Sequence, residues 1–110
     1  KRLALRRALA ERVDSGDLVV VEGFAFAEAK TKHAAAYLKA IDATNRPVVI
    51  VSDKVMDENL NNTYLAFRNV GGCSIIGASW VNAYIMLSGQ KIVITRAAFE
   101  ELGERIAKEN

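Results

Sequence analysis

The sequence predicts an α/β fold, a three-layer sandwich with a mainly parallel sheet of about four strands and helices on both faces. Three observations carry that expectation. Four short runs rich in β-branched residues, Leu18–Val21, Val48–Val51, Cys73–Ile76 and Ile92–Ile94, have the length and composition of buried strands. Each is followed by a stretch whose apolar residues recur at helical spacing. Glycine, proline and serine mark the joins, and no low-complexity linker divides residues 1–110, so they read as one α/β domain. Strands alternating with helices pair in parallel through right-handed crossovers, which places helices on both faces of one sheet.

In order, Leu5, Leu9 and Val13 recur at every fourth position with Ala8 beside them. They predict an amphipathic helix from about Leu3 to Val13, stopped by Ser15-Gly16. Leu18-Val19-Val20-Val21 does not alternate and is expected to be buried on both faces. Gly23 to Ala29 is a loop. Thr31 is placed to cap a second helix with Ala34, Tyr37, Leu38 and Ile41 on its apolar side. Arg46-Pro47 opens a second doubly buried strand, Val48–Val51. A polar loop from Asp53 to Asn61 leads to a short third helix through Tyr64, Leu65 and Arg68, which ends before Gly71-Gly72. After the third strand, Val81, Tyr84, Ile85 and Leu87 give a short fourth helix. Ser88-Gly89 turns the chain into the fourth strand. Thr95 caps a last helix bearing Ala98, Phe99, Leu102 and Ile106 on one face.

With 51% hydrophobic and 25% charged residues, the chain is neither a disordered tail nor a collagenous repeat. Its one cysteine, Cys73, cannot form an internal disulfide or a multi-cysteine zinc site, and points to a reducing compartment. No charged residue lies between Arg68 and Lys91, but glycines, serines and Asn82 interrupt every apolar run there. A spanning helix needs about 20 predominantly apolar residues, so no membrane partner is expected. The chain opens at Lys1 without methionine, as expected of a fragment or a processed product.

The net charge of +2 is unevenly distributed. Residues 1–12 carry Lys1, Arg2, Arg6, Arg7 and Arg12 against Glu11 alone, a surplus of +4, while the other 98 residues carry 10 basic and 12 acidic side chains, net −2. Such concentration suits a polyanion, either nucleic acid or an anionic membrane surface, or else marks a solvated helix face. Arg2 and Arg6 stand four apart on one helix face and Arg7 widens the patch; arginine's planar fork suits bidentate phosphate contact. Lys30 and Lys32 flank Thr31 at a helix start, where backbone N–H groups also favour an anion. Arg68 answers the dipole at a helix end.

Ligands of open α/β sheets sit beyond the carboxyl ends of the strands. Those positions hold Glu22-Gly23, Ser52-Asp53, Gly77-Ala78-Ser79 and Thr95-Arg96. A phosphate-binding loop needs clustered glycines, and the first turn offers Gly23 followed by bulky Phe24. Glu22 and Asp53 are the candidates for a paired-carboxylate or Mg²⁺ site of a receiver-like or nucleotide-binding domain. A receiver domain, however, carries an acidic pair after the first strand and a lysine after the last. The lone histidine, His33, has no second imidazole with which to bind a metal, and Cys73 behaves as a small hydrophobe. No catalytic set, cofactor or small-molecule substrate is therefore expected. Phe24, Phe26 and Trp80 are candidates for an exposed apolar patch of a protein-binding module, or for core filling.

Six segments in order carry a resemblance. They are the basic helix Ala4 to Val13 with Leu18-Val19-Val20-Val21-Glu22; Ala29-Lys30-Thr31-Lys32; Val48 to Asp53 with Asp57-Glu58-Asn59-Leu60; Tyr64-Leu65-Ala66-Phe67-Arg68-Asn69-Val70; Val81-Asn82-Ala83-Tyr84; and Lys91-Ile92-Val93-Ile94-Thr95-Arg96-Ala97-Ala98. Together they resemble, essentially from end to end, the carboxy-terminal half of large ribosomal subunit protein four in its bacterial and organellar form. The resemblance implies an rRNA-binding structural constituent of the large ribosomal subunit, on cytoplasmic or organellar ribosomes, with neighbouring ribosomal proteins as further partners. It implies that a long basic loop of the family precedes this chain, with Lys1 and Arg2 as its returning stem. The rRNA-binding set expected is Lys1, Arg2, Arg6, Arg7, Lys30 and Lys32. Two departures stand out: Asn61-Asn62-Thr63 lengthens the loop before the third helix, and Ser79-Trp80 replaces a shorter aliphatic residue.

Overall fold

The computed structural model describes residues 2–24, 30–53, 62–88 and 91–108, with the backbone alone for Arg2 and Leu3. Helix α1 (Arg2–Ser15) leads into strand β1 (Leu18–Val21), and α2 (Thr31–Ala40) into β2 (Pro47–Val51). Helix α3 (Asn62–Arg68) leads to β3 (Ser74–Gly77), followed by a 3₁₀ turn (Ala78–Trp80) and α4 (Ala83–Leu87). Strand β4 (Lys91–Thr95) and α5 (Arg96–Lys108) complete the order. All strand pairs are parallel, in the order β1-β4-β2-β3. Val19 and Val49 both register with Val93, which makes β4 the central hinge of the pairing.

Side chains alternate across the sheet and build a core on each face. On one face Val48, Ile50, Ile92 and Ile94 pack with Leu5 and Ala8 of α1, Met86 of α4, and Ala98, Leu102 and Ile106 of α5. On the other face Val49, Val51 and Val93 pack with Ala34 and Leu38 of α2 and Ala66 and Phe67 of α3. The expected three-layer arrangement is thereby present. Internal strands β2 and β4 are covered on both sides, as a parallel sheet between helix layers requires. Strand β1 is a correction. It lies at the sheet edge with one neighbouring strand, its residues are only partly covered, and Val20 is 46% exposed.

Helix ends differ from expectation in instructive ways. Thr31 is the first helical residue of α2, and Lys30 occupies the cap position, its side chain giving no capping hydrogen bond. The carboxyl end of α2 closes with Asp42 N–H donating to Lys39 and Ala43 N–H to Leu38, with Asp42 in the left-handed region at φ 57°. α1 ends the same way: Gly16, at φ 78°, donates to Val13 and Asp17 to Arg12. Thr95 does cap the last helix, its Oγ1 accepting from Ala98 N–H at 3.2 Å. α4 is likewise a correction. Asn82 caps it by accepting from Ile85 N–H at 2.9 Å, and this restart shifts the helical phase. Val81 and Met86 are buried as a result, while Tyr84 and Leu87, expected on the apolar side, are 81% and 47% exposed.

Candidate nucleic-acid interface

The burial of α1 decides which of its charges are available. At 100° per residue Arg12 lies about 20° from Leu5 around the axis, whereas Val13 stands about 80° away. Leu5, Ala8 and Arg12 therefore form the buried stripe, and Val13 is 52% exposed, the reverse of the expected pattern. The Arg12 guanidinium donates from Nε to the Met86 carbonyl at 2.8 Å and from Nη2 to the Ser88 carbonyl at 3.2 Å. Its Nη1 lies 3.7 Å from Asp17 Oδ2. Arg12 thus belongs to the fold, and the sequence surplus of α1 overstates its outward charge by one. No feature of the sequence separates this arginine from its neighbours except its helical phase.

Arg6 and Arg7 lie on the opposite side, exposed, and neither forms an ion pair among the described residues. Lys1 and the side chain of Arg2 lie outside the described residues. Lys30 and Lys32 are exposed at the start of α2. Helices that feed or link parallel strands run back against them, so the amino-terminal ends of α1 and α2 both lie toward the carboxyl edge of the sheet. They lie on opposite faces, however, because α1 packs in one core and α2 in the other. The two basic groups are accordingly separate on the surface. Arg68 sits 5.5 Å above the Tyr64 ring in the last turn of α3, stacked locally at the helix end.

The carboxyl edge of the sheet does not assemble a paired-carboxylate site. Glu22 follows β1 and Asp53 follows β2, and β4 lies between them, so the strand ends are two spacings or about 10 Å apart. Glu22 pairs instead with Arg96, the first residue of α5, at 2.8 Å on the exposed edge. Asp53 Oδ1 accepts from Ser79 N–H and Oγ, each at 3.1 Å. Glu101 of α5 accepts from Ser52 Oγ at 2.7 Å and from Asp53 N–H at 3.4 Å, and Arg105 Nη1 donates to the Ala78 carbonyl at 2.9 Å. An open hollow of about 330 Å³ lined by Asp53, Ala78, Ser79, Glu101 and Arg105 remains there. Two carboxylates against one guanidinium repel a phosphate, so receiver-like or nucleotide-binding chemistry is not favoured. Among the described residues no group of three potential metal ligands exists.

The remaining candidates fall into place as packing. Burial pushes the Cys73 thiol up to about 11, so it stays protonated and unreactive near neutrality. Phe24 contacts the Tyr37 and Phe67 rings edge-on, at 5.0 and 4.8 Å between centroids, and fills the second core rather than an exposed patch. Phe26 lies outside the described residues. Trp80 is 71% exposed, and Tyr84, which sequence spacing places inside, is exposed as well. No helix among the described residues is long and apolar enough to cross a membrane.

Residues 1–105 match the profile of the ribosomal protein L4/L1 family. A large ribosomal subunit protein uL4 from Campylobacter curvus is 36% identical over 102 residues, covering 93% of this chain and 47% of the relative. The uL4 proteins of Brevibacillus brevis and Deinococcus radiodurans are 32% and 34% identical, covering 97% and 99% of this chain and 49% and 51% of the relatives. The chain therefore spans about half the length of these relatives, corresponding to their carboxy-terminal part. On the extent of that match, the chain belongs to the ribosomal protein L4/L1 family.

Proposed function

We propose that this chain is part of a structural constituent of the large ribosomal subunit, bound to large-subunit rRNA through the amino-terminal end of α1. Lys1, Arg2, Arg6 and Arg7 hold phosphates there. Lys30 and Lys32 at the start of α2 form a second, weaker contact on the other face of the sheet. The observation that carries this reading is α1 itself: its inner face is locked into the core while Arg6 and Arg7 are exposed and uncommitted among the described residues. Outside residues 1–12 the chain is net negative, which leaves that end as the surface fit for a polyanion.

In this role the chain needs no catalytic set, cofactor or small-molecule substrate; its partners are rRNA and neighbouring ribosomal proteins, on cytoplasmic or organellar ribosomes. The polar network around Asp53, Glu101 and Arg105 serves to join the carboxyl ends of β2 and β3 to α5. The test is whether the chain retains large-subunit rRNA on an affinity matrix at moderate salt. Retention comparable to that of an unrelated protein of equal net charge overturns the reading.

A further inference from the structure

Arg12 is 9% exposed, and its guanidinium joins three separate parts of the chain. Nε donates to the Met86 carbonyl in α4, Nη2 donates to the Ser88 carbonyl just beyond that helix, and Nη1 lies 3.7 Å from Asp17 Oδ2 on the approach to β1. These partners are themselves anchored. Met86 N–H donates to the Asn82 carbonyl at 3.0 Å, and the Asp17 carbonyl accepts from Ile92 N–H of β4 at 2.8 Å. Asp17 Oδ2 also accepts from Ser15 Oγ at 3.1 Å. The guanidinium therefore ties α1 to α4 and to the paired starts of β1 and β4. The aliphatic part of the inner face of α1 is small: Leu5 and Ala8 are buried in the core, and Leu9 is partly buried against it. Apolar contact is non-directional and resists separation more than rotation about the helix axis, whereas hydrogen bonds to fixed acceptors resist both.

Arg6 and Arg7 lie six and five residues up α1 from Arg12, about 9 and 7.5 Å along the axis. Both project from the outer side of the helix and are exposed. A side chain about 5–6 Å from the axis moves by about 2 Å when the helix rolls by about 20°. A hydrogen bond keeps its strength over only about 0.5 Å of donor–acceptor distance, so such a roll breaks a bidentate phosphate fit. We propose that Arg12 is a positioning residue for the phosphate contact: it touches no RNA, and it holds α1 at the roll from which Arg6 and Arg7 reach phosphates together. This inference rests on the rRNA-binding reading and extends that contact to a residue inside the fold. Lysine offers a point charge in place of the planar fork, so it reproduces the charge of Arg12 but not its geometry.

The experiment measures binding to purified bacterial large-subunit rRNA across a salt series for wild type, Arg12→Ala, Arg12→Lys, Arg6→Ala/Arg7→Ala and the triple alanine variant. Circular dichroism establishes that each variant is folded under the binding conditions. Arg12→Ala is expected to lose affinity by about fivefold or more and to make the slope of log affinity against log salt shallower, toward that of the double variant. Added to the double variant, Arg12→Ala should change affinity by less than about twofold, because the contacts it positions are already gone. Arg12→Lys should fall between Arg12→Ala and wild type. Val49→Ala, which destabilises the chain through the other core, should keep the wild-type affinity and slope, and so separates positioning from stability. Full additivity of Arg12→Ala with the double variant identifies Arg12 as a phosphate ligand itself and overturns the proposal. Wild-type binding by folded Arg12→Ala also overturns it and leaves the rRNA reading standing. Where Arg12→Ala does not fold, Arg12→Lys decides, and wild-type affinity and slope in that variant overturn the proposal. An unchanged slope in Arg6→Ala/Arg7→Ala, or absence of RNA binding, overturns the rRNA reading and the proposal with it.

Discussion

The Arg12 side chain reaches the Met86 carbonyl across 74 positions of sequence and fixes α1 against the end of α4. A buried guanidinium with two carbonyl acceptors holds a geometry that aliphatic packing alone leaves free to slide. It also sets which residues of α1 face outward, and hence where Arg6 and Arg7 project.

Replacing Arg12 with alanine leaves the Met86 and Ser88 carbonyls short of a donor in a largely buried site. Charge-assisted hydrogen bonds of this kind contribute about 1.5–3 kcal/mol, so Arg12→Ala should destabilise the chain by about 2–3 kcal/mol in urea unfolding. Arg12→Lys should recover part of the loss. A change within about 0.5 kcal/mol, the range of ordinary surface substitutions, would show that the contact is incidental.

Gly16 sits at φ 78° with nothing within 4 Å of where a Cβ would stand. Any cost of Gly16→Ala is therefore backbone strain and not a clash, and should be about 1 kcal/mol. The matching position after α2 holds Asp42 at φ 57°, where Asp42→Gly should be neutral or stabilising by a few tenths of a kcal/mol. Opposite signs at these two positions, read from the shift in urea midpoint, are the expected outcome.

The Cys73 thiol is raised by burial from an ordinary value of 9.0 to about 11. A folded state that disfavours the thiolate keeps its full stability below pH 9 and loses it progressively as the pH rises toward 11. Tyr37, also raised by burial, acts in the same direction from pH 10 upward. Unfolding measured between pH 8 and 11 should show this decline, and Cys73→Ala should flatten its earlier part. Near pH 8 the native thiol should alkylate at least about tenfold more slowly than the urea-unfolded thiol. Equal rates would contradict the burial.

Much of the fold is legible because internal parallel strands bury both faces. Val48–Val51 and Ile92–Ile94 are unbroken apolar runs for that reason, and both are strands within one residue of their expected bounds. Composition overstates the burial of Leu18–Val21 because it does not reveal strand order, and β1 lies at an edge. The role of Arg12 is hidden in the sequence because a guanidinium in an apolar stripe has the same letter as one in solvent; only its 3.6-residue phase marks it. Spacing counted from Val81 places Tyr84 and Leu87 inside, but Val81 precedes the Asn82 cap that restarts the helix. The separation of Glu22 from Asp53 likewise depends on β4 lying between β1 and β2, a matter of topology and not of spacing.

Binding to large-subunit rRNA across a salt series, wild type against Arg6→Ala/Arg7→Ala, tests the central claim most directly. Each phosphate contact contributes about 0.7–0.9 to the slope of log affinity against log salt, so the double variant should be shallower by about 1.4–1.8 units. Glu22→Ala and Asp53→Ala should keep the wild-type slope, since both carboxylates are engaged within the protein. An unchanged slope in the double variant would show that these arginines only decorate a solvated helix, and would contradict α1 as the rRNA contact.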